Sequence, residues 1–427
     1  MRKLNIAIIG LGNIGAYLYK YLNENKKILT EKNNCLPIIK YVSARNNKKK
    51  RKIKFKKEQW LKNYLDATKL DDIDLIVELI GGAEGPAKKL VFNALKNKKH
   101  VVTANKALIA KYGDKLAKIA EKNKVNLEFE ASVCGGVPII RSLKEGLIAN
   151  KIFKIHGILN GTSNYILSSM EKENKNFKQV LSNAKKLGYA ESDPSADLNG
   201  DDVSSKLKIL SSLCFNSFLN NKIYVEGIKA IDKSDIDIAN SLGYKIKLIG
   251  FAELYNNKIY QRVHPTLIKN NSYVASIDGV LNAVIVDGKP VGQSIIQGDG
   301  AGPAATTSAL ISDISSIMRG NIKFPFALSN KERKNLKFEN IDDRLFSSYF
   351  RFEVLDKPGV LSNITNIFSK NKTSIKRLIQ NPNKNKKASS VIIITHMSKD
   401  KYLNKILKEI SKKNYIKKRP KLIRIDE

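Results

Sequence analysis

Between Tyr189 and Lys206 the chain reads YAESDPSADLNGDDVSSK, which gathers five carboxylates: Glu191, Asp193, Asp197, Asp201 and Asp202. The whole chain has a formal net charge of +36, so acids concentrated in this way either solvate a loop or hold something cationic. If the chain is helical from Gly200 onward, with Asn199 as N-cap and Val203, Leu207, Leu210 and Leu213 as a buried stripe, then Asp202 and Lys206 face the same way. A lysine held by carboxylates and partly withdrawn from water can donate a proton, because burial lowers its pKa while the acids hold it in place. An exposed i,i+4 ion pair has the same spacing and is worth only about 0.2–0.5 kcal/mol. Spacing alone leaves both readings open. For Asp193 and Asp201 it assigns no partner, and a solvated loop is the better reading.

A second group of residues opens the chain. LNIAIIG reads as a buried strand and runs through Gly10, Gly12 and Gly15 into a helix whose apolar residues Ile14, Leu18, Tyr21 and Leu22 recur at helical spacing. A G-x-G-x-x-G turn between strand and helix lets the backbone approach a pyrophosphate closely and points the helix N-terminus at it. Gly10, Gly12, Asn13, Ile14 and Gly15 are therefore the expected contacts of a dinucleotide. After the second strand, LPIIKYVSA, an NAD-specific site would usually carry an acid for the ribose hydroxyls. This chain has Ser43, Ala44 and Arg45 there, followed by a basic run from Lys48 to Lys52. A guanidinium forms charge-assisted, bidentate bonds with a 2′-phosphate, so NADP(H) is expected in preference to NAD(H).

The elements that must position these residues follow from the patterning. DLIVELIG, PAKKLVFNALKNKK, HVVTA, a helix from Lys106 to about Lys122, and VNLEFEASV alternate strand and helix, which predicts a doubly wound, Rossmann-type parallel sheet over residues 1–131. Residues 132–303 read as an α+β region with a glycine-rich SVCGGVPII, a helix near 139–149, the acidic stretch, and strands such as KIKLIGFAEL, IYQRVHPTLI and VLNAVIV. A helix over about 304–320 returns to the first domain, and the polar residues 328–347 read as a linker. Residues 348–427 give the order βαββαβ, a small ferredoxin-like domain.

Composition excludes several classes. No apolar run approaches the roughly 20 residues of a membrane span, and a soluble, cytoplasmic protein is expected. The lysine excess is scattered, with no nucleic-acid-binding module, so nucleic acid is not an expected partner. Cys35, Cys134 and Cys214 lie far apart, which indicates neither a disulfide framework nor a zinc site. Cys134 has no histidine near it in sequence to activate it as a nucleophile, and reads as a small packing residue.

Taken in order, GLGNIG, ELIGG, VVTANKALIA, FEASVCGGVPII, LNGTSNYIL, GYAESDPSADLNGDDVSSKLKIL and GDGAGPAATTSALISDI resemble homoserine dehydrogenases over residues 1 to about 320. LDKPGVLSNI resembles the opening of an ACT regulatory domain, the usual C-terminal appendage of the monofunctional enzymes. The resemblance implies reversible NAD(P)H-dependent reduction of L-aspartate 4-semialdehyde to L-homoserine, on the way to threonine, isoleucine and methionine. It implies that Glu191 and Asp202 bind the substrate ammonium, that Asp197 orients the lysine or substrate, that Lys206 is the proton donor, and that Lys106 is a second active-site lysine contacting cofactor or substrate.

It further implies a monovalent cation, such as sodium, on Glu130 and the carbonyls of Val133, Gly135 and Val137. One carboxylate with carbonyls suits a low-charge ion. Gly188 and Gly302 match backbone contacts near the cofactor, while Thr103 is as readily a helix cap as a ligand. For the ACT domain the expected effector is threonine, bound near Asp356, Pro358, Gly359 and Val360, and the expected assembly is a homodimer or homotetramer. The competing readings are another semialdehyde or oxo-acid reductase on the same scaffold, and a nucleotide- or amino-acid-sensing protein without chemistry. A sensor has no need of Lys106, Glu191, Asp202 and Lys206 together.

Overall fold

The computed structural model describes residues 1–426 apart from 47, 48, 50, 52, 220–222 and 384–387. Part of the basic run from Lys48 to Lys52 therefore lies outside the described residues. The first domain comprises β1 (Arg2–Ile9), α1 (Asn13–Glu24), α2 (Lys26–Asn33), β2 (Cys35–Ser43), β3 (Leu75–Glu78), α3 (Pro86–Lys96), β4 (His100–Thr103), α4 (Lys106–Asn123) and β5 (Leu127–Glu128). The strands form a parallel sheet in the order β2-β1-β3-β4-β5. Every residue of β3 is buried, as expected of a strand covered on both faces. Ile9, Glu78 and Thr103 lie in one row across the sheet. That row ends at the carboxyl edge, beside the point where strand order reverses, the usual ligand crevice of this architecture.

VNLEFEASV, expected as a full strand, pairs only through Leu127 and Glu128. Phe129 leaves the extended conformation and a tight turn over Glu130–Ser132 follows. The Glu130 N–H donates to buried Asp313, and its carboxylate accepts from the N–H groups of Ile140 and Arg141. These bonds turn the chain out of the sheet. The helix expected near 139–149 is correspondingly short, with α5 (Ile139–Arg141) followed by one wider turn over Ser142–Gly146.

The second domain contains β6 (Lys151–Ile158), α6 (Gly161–Lys172), α7 (Phe177–Lys186), α8 (Ser195–Asn199), α9 (Asp201–Phe215), β7 (Tyr224–Val225), α10 (Lys233–Ser241), β8 (Tyr244–Tyr255), β9 (Lys258–Lys269), β10 (Leu281–Lys289) and β11 (Gly292–Asp299). Helix α11 (Pro303–Met318) then packs on α1 with Leu310, Ile314, Ile317 and Met318 buried. After β12 (Lys337–Phe338) come β13 (Leu345–Leu355), α12 (Val360–Lys370), β14 (Ile375–Asn383), β15 (Ala388–Thr395), β16 (Ser398–Lys399), α13 (Asp400–Ser411) and β17 (Lys421–Ile425). In this last unit the strand order β17-β13-β15-β14 is that of a ferredoxin-like sheet.

The second and third units share one sheet, in the order β11-β10-β6-β8-β9-β17-β13-β15-β14. One edge of β9 is covered by three short strands in succession. β12 pairs Lys258 and Ile259, β7 pairs Arg262 and Val263, and β17 pairs Thr266 and Leu267. The polar 328–347 stretch is itself anchored. Arg333 is buried against Phe326 and Phe218, pairs with Asp114 at 2.7 Å, and donates to Ser217 O at 2.7 Å.

Candidate active site

Helix α9 begins at Asp201, with Gly200 rather than Asn199 at its N-cap. Asn199 instead ends the short helix α8, and Gly200 joins the two at φ +88°, a left-handed conformation that a glycine adopts without strain. The joint folds α8 back so that Asp197 and Asp202 share one neighbour. Val203, Leu207, Leu210 and Leu213 are buried as the sequence pattern expects.

The Asp202–Lys206 pair is buried rather than exposed. Lys206 Nζ lies 2.8 Å from Asp202 Oδ2, with side chains only 9% and 3% exposed. Lys106, the first residue of α4, reaches Asp202 Oδ1 at 2.6 Å from the open side, its own side chain 43% exposed. Lys206 also donates to Leu159 O at 2.7 Å. An ammonium has three N–H groups, so one of Lys206 remains without a partner among the described residues.

Burial alone would push the Asp202 carboxyl up, but the Lys206 and Lys106 charges outweigh it and hold the group well below the usual carboxylate range. Burial pulls the Lys206 ammonium down, and Asp202 more than restores it, leaving its pKa above that of an ordinary lysine. This reverses the direction expected from burial alone. Asp197 is pushed up by burial and by the neighbouring Asp202 charge.

Asn160, on the turn between β6 and α6, is a residue the sequence reading passed over. Its amide donates to Asp197 Oδ1 at 2.7 Å and to Asp202 Oδ2 at 2.8 Å. The signal was present in LNGTSNYIL, where an asparagine two residues before a threonine reads simply as a helix cap. Glu191 is not drawn into the cluster. It is exposed on the loop between α7 and α8, without a hydrogen bond or ion pair among the described residues. That loop is tied to α6 through Thr162 Oγ1, which donates to Tyr189 O at 2.7 Å. Asp193 is exposed and accepts from Ser195 N–H and Oγ, while Asp201 lies exposed in the first turn of α9.

At the glycine turn, a Cβ on Gly10 would lie 2.4 Å from Leu79 O, and one on Gly15 would lie 2.0 Å from Gly10 O. A Cβ on Gly12 would meet nothing within 4 Å. The outer glycines are therefore required by packing, and the middle one faces open space at the start of α1, where Asn13 and Ile14 follow. The cradle fits a pyrophosphate.

Ala44 and Arg45 follow β2, whose last carbonyl, Ser43 O, accepts from Gly10 N at 2.8 Å, and Arg45 is exposed. A second guanidinium, unremarked in the sequence, lies at the same mouth. Arg51 Nε donates to Leu11 O at 3.0 Å, its other nitrogens donate to Asn46 O and Lys49 O, and it stacks over Trp60. Thr103 is fully buried, and its hydroxyl is committed to Glu78 Oε2 at 2.5 Å and to Asn105 N–H at 3.0 Å. Glu78 in turn accepts from Ile80 N and Gly81 N, so this pair braces the loop after β3. Thr103 serves as a brace and cap in this geometry.

The turn Cys134–Val137 packs against the loop before α11. Gly136 N donates to Asp299 O at 2.9 Å, and a Cβ on Gly135 would lie 2.6 Å from Gly300 O. Gly302 caps α11 at φ +111° and, like Gly188 at φ +76°, has open space where a side chain would be. Cys134 is buried, and burial pushes its thiol up to about 11, the opposite of an activated nucleophile. Burial likewise pushes Glu130 up to about 7, against the N–H groups of Ile140 and Arg141 that favour its charged form. The carbonyls of Val133 and Gly135 accept no hydrogen bond among the described residues, whereas Val137 O accepts from Ile139 N at 2.8 Å. In the last domain Gly359, at φ +82°, caps α12, Pro358 and Val360 flank it, and Asp356 accepts from Gln380 at 3.5 Å.

Lys106 opens α4 directly after β4, so the buried lysine–carboxylate cluster lies at the same carboxyl edge of the parallel sheet as the glycine cradle, an arrangement that suits an NAD(P)-dependent oxidoreductase. Family models agree: residues 10–130 match "Homoserine dehydrogenase, NAD binding domain", residues 138–315 match "Homoserine dehydrogenase", and residues 350–418 match "AHAS small subunit-like ACT domain". The chain belongs to the homoserine dehydrogenase family. It is 38% identical to homoserine dehydrogenase of Helicobacter pylori and 36% identical to that of Neisseria gonorrhoeae, each match covering 100% of this chain and 99% of the relative. A crystal structure of a homoserine dehydrogenase from Thiobacillus denitrificans superposes with a TM-score of 0.91 at 35% identity, covering 100% of this chain and 99% of that one. Similarity over the full length does not favour a different reductase or a non-catalytic sensor. Among the described residues no helix is long and apolar enough to cross a membrane.

Proposed function

We propose that the chain reduces L-aspartate 4-semialdehyde reversibly to L-homoserine, with Lys206 as proton donor, Lys106 as the second cation of the site, and NADP(H) as the preferred cofactor. The observation that carries this reading is the triad Lys106–Asp202–Lys206, in which one buried carboxylate holds two ammonium groups at 2.6 and 2.8 Å. The nicotinamide cofactor, when bound, supplies the hydride. Gly10, Gly12, Asn13, Ile14 and Gly15 hold its pyrophosphate, and Gly188 and Gly302 leave room for its approach. Arg45, with Ala44 beside it, takes the 2′-phosphate.

Lys206 passes a proton from its unpartnered N–H to the aldehyde oxygen, and Lys106 stabilises the charge that develops there. Asp202 keeps Lys206 protonated until substrate arrives and holds Lys106 beside it. The substrate ammonium is met by Asp197, whose second oxygen has no partner among the described residues, by Asp202, and by Glu191 once its loop closes over the site. Competition from that ammonium for Asp202 loosens the hold on Lys206 and lowers its proton affinity at the moment of transfer.

Glu130 is suited to a monovalent cation such as sodium, because burial pushes its carboxyl up to about 7, where a cation would favour the charged form, and the carbonyls of Val133 and Gly135 accept no hydrogen bond among the described residues. The surrounding physiology we propose is cytoplasmic synthesis of threonine, isoleucine and methionine by a homodimer or homotetramer. Threonine binds near Asp356, Pro358, Gly359 and Val360 and lowers activity. The test is loss of NADPH absorbance on adding L-aspartate 4-semialdehyde to the purified chain. Absence of substrate-dependent oxidation with either NADPH or NADH would overturn the reading.

A further inference from the structure

We propose that Asn160 is a positioning residue of the reaction: its amide holds Asp197 and Asp202 side by side as acceptors for the substrate ammonium, while the carbonyl before it steers Lys206. The proposal rests on the reading of this cluster as the substrate site. Asn160 is 5% exposed, and all its side-chain hydrogen-bonding groups are committed. Both N–H groups of Nδ2 go to carboxylates, one to Asp197 and one to Asp202, and Oδ1 accepts from Ser163 N at 2.7 Å. The amide cannot be turned over, because Oδ1 would then face two carboxylates while Nδ2 faced an N–H. The preceding residue supplies Leu159 O to Lys206 Nζ at 2.7 Å. One turn between β6 and α6 thus sets the distance between the two acids and the direction of the lysine.

Asp197 on α8 faces Asp202 and Lys206 on α9, Lys106 on α4, and Asn160. Burial and the Asp202 charge favour its proton, whereas the Asn160 N–H and the two lysines favour the carboxylate. Removing the amide N–H therefore makes Asp197 take up a proton at higher pH, and a protonated Asp197 cannot pair with the substrate ammonium. The acidic limb of kcat/KM should move to higher pH.

Asn160 is also the N-cap of α6, so an alanine there would mix a lost cap with a lost donor. Asn160→Ser keeps a capping oxygen without charge and is too short to reach both acids. Asn160→Asp keeps the cap, cannot donate, and sets a third carboxylate against the other two. Both variants are made in the full chain. The readouts are the pH profile of kcat/KM for L-aspartate 4-semialdehyde at saturating NADPH, the separate KM and kcat, and the thermal midpoint. The expectation is a fall of about 10- to 100-fold in kcat/KM near pH 7, as for loss of hydrogen bonds to charged groups, mostly through KM. The acidic limb moves up in Asn160→Ser and further in Asn160→Asp, with NADPH affinity retained. An unmoved limb and unchanged KM in a folded variant would overturn the proposal, and Asn160→Asp decides it if Asn160→Ser does not fold. A wild-type chain that fails to reduce the semialdehyde would instead overturn the functional reading on which the proposal stands.

Discussion

At the scale of single residues, Lys206 has two N–H groups anchored and one without a partner among the described residues, so it is fixed in place yet able to give a proton. Lys206→Ala should lower turnover by about 10² to 10⁴, the usual contribution of general acid catalysis, and leave NADPH affinity near wild type. A variant that turns over normally would remove the role. Arg45→Ala should weaken NADPH much more than NADH, because only the former carries a 2′-phosphate, and titration with both cofactors reads the difference. An equal loss for both would make Arg45 a scaffold residue, leaving Arg51 as the remaining described guanidinium at that mouth. The Asp202–Lys206 partnership was legible in the sequence because four residues along a helix is a local relation. Asn160 was not, since its bond to Asp202 spans 42 residues and is made by a turn whose course depends on tertiary packing. Nor could spacing reveal that Lys206 ends with a raised pKa, because the opposing effects of burial and Asp202 are settled only by distance.

At the scale of elements, the glycine turn, β2, α4 and α11 were legible because strand and helix periods and their glycine punctuation are carried by neighbouring residues. The strand expected over VNLEFEASV was cut short by long-range bonds from Glu130 to Asp313 and to the start of α5. Helix α2 was likewise not anticipated, its short polar run KKILTEKN showing little of the helical pattern.

Two strand histidines give an element-scale prediction. Burial holds His156 on β6 down to about 4, and burial with the Arg262 charge holds His264 on β9 well below the ordinary value. Well above pH 6.5 neither group is protonated in either state. Below it the unfolded chain takes up protons that the native chain refuses, so stability falls with pH. His156 should cost about 1.5 kcal/mol between pH 6.5 and 5, and His264 acts in the same direction. Urea unfolding at the two pH values checks this, and His156→Gln should flatten the dependence.

For the whole molecule, the sequence indicated a small appended domain but not that its sheet continues the catalytic sheet. Charged contacts tie the two together. Arg351 on β13 pairs with Asp235 on α10 at 2.7 Å and with Asp232, its N-cap, at 2.6 Å, and Arg424 on β17 reaches Glu226 at 3.1 Å. The strap after Glu226 packs on the α8–α9 joint, since a Cβ on Gly227 would lie 2.1 Å from Leu198 O. A chain ending near Leu328 would lose β12 and β17 from β9 and lay bare an unpaired sheet edge, so we expect it to aggregate. Threonine sensitivity is therefore better tested in the full chain. Asp356→Ala should keep basal turnover and lose inhibition at millimolar threonine, and equal inhibition of variant and wild type would move the effector site elsewhere.

Strand β17 follows every other described strand in sequence, yet it lies between β9 and β13. As the polypeptide leaves the ribosome, β9 (Lys258–Lys269) emerges well before β17 (Lys421–Ile425), and part of its edge waits for that partner. The middle of the sheet thus closes only when synthesis has passed Ile425, and until then the nascent chain presents an unpaired edge of the kind that other chains can join. For this protein, the time taken to translate the last domain is also the time for which that edge stands open.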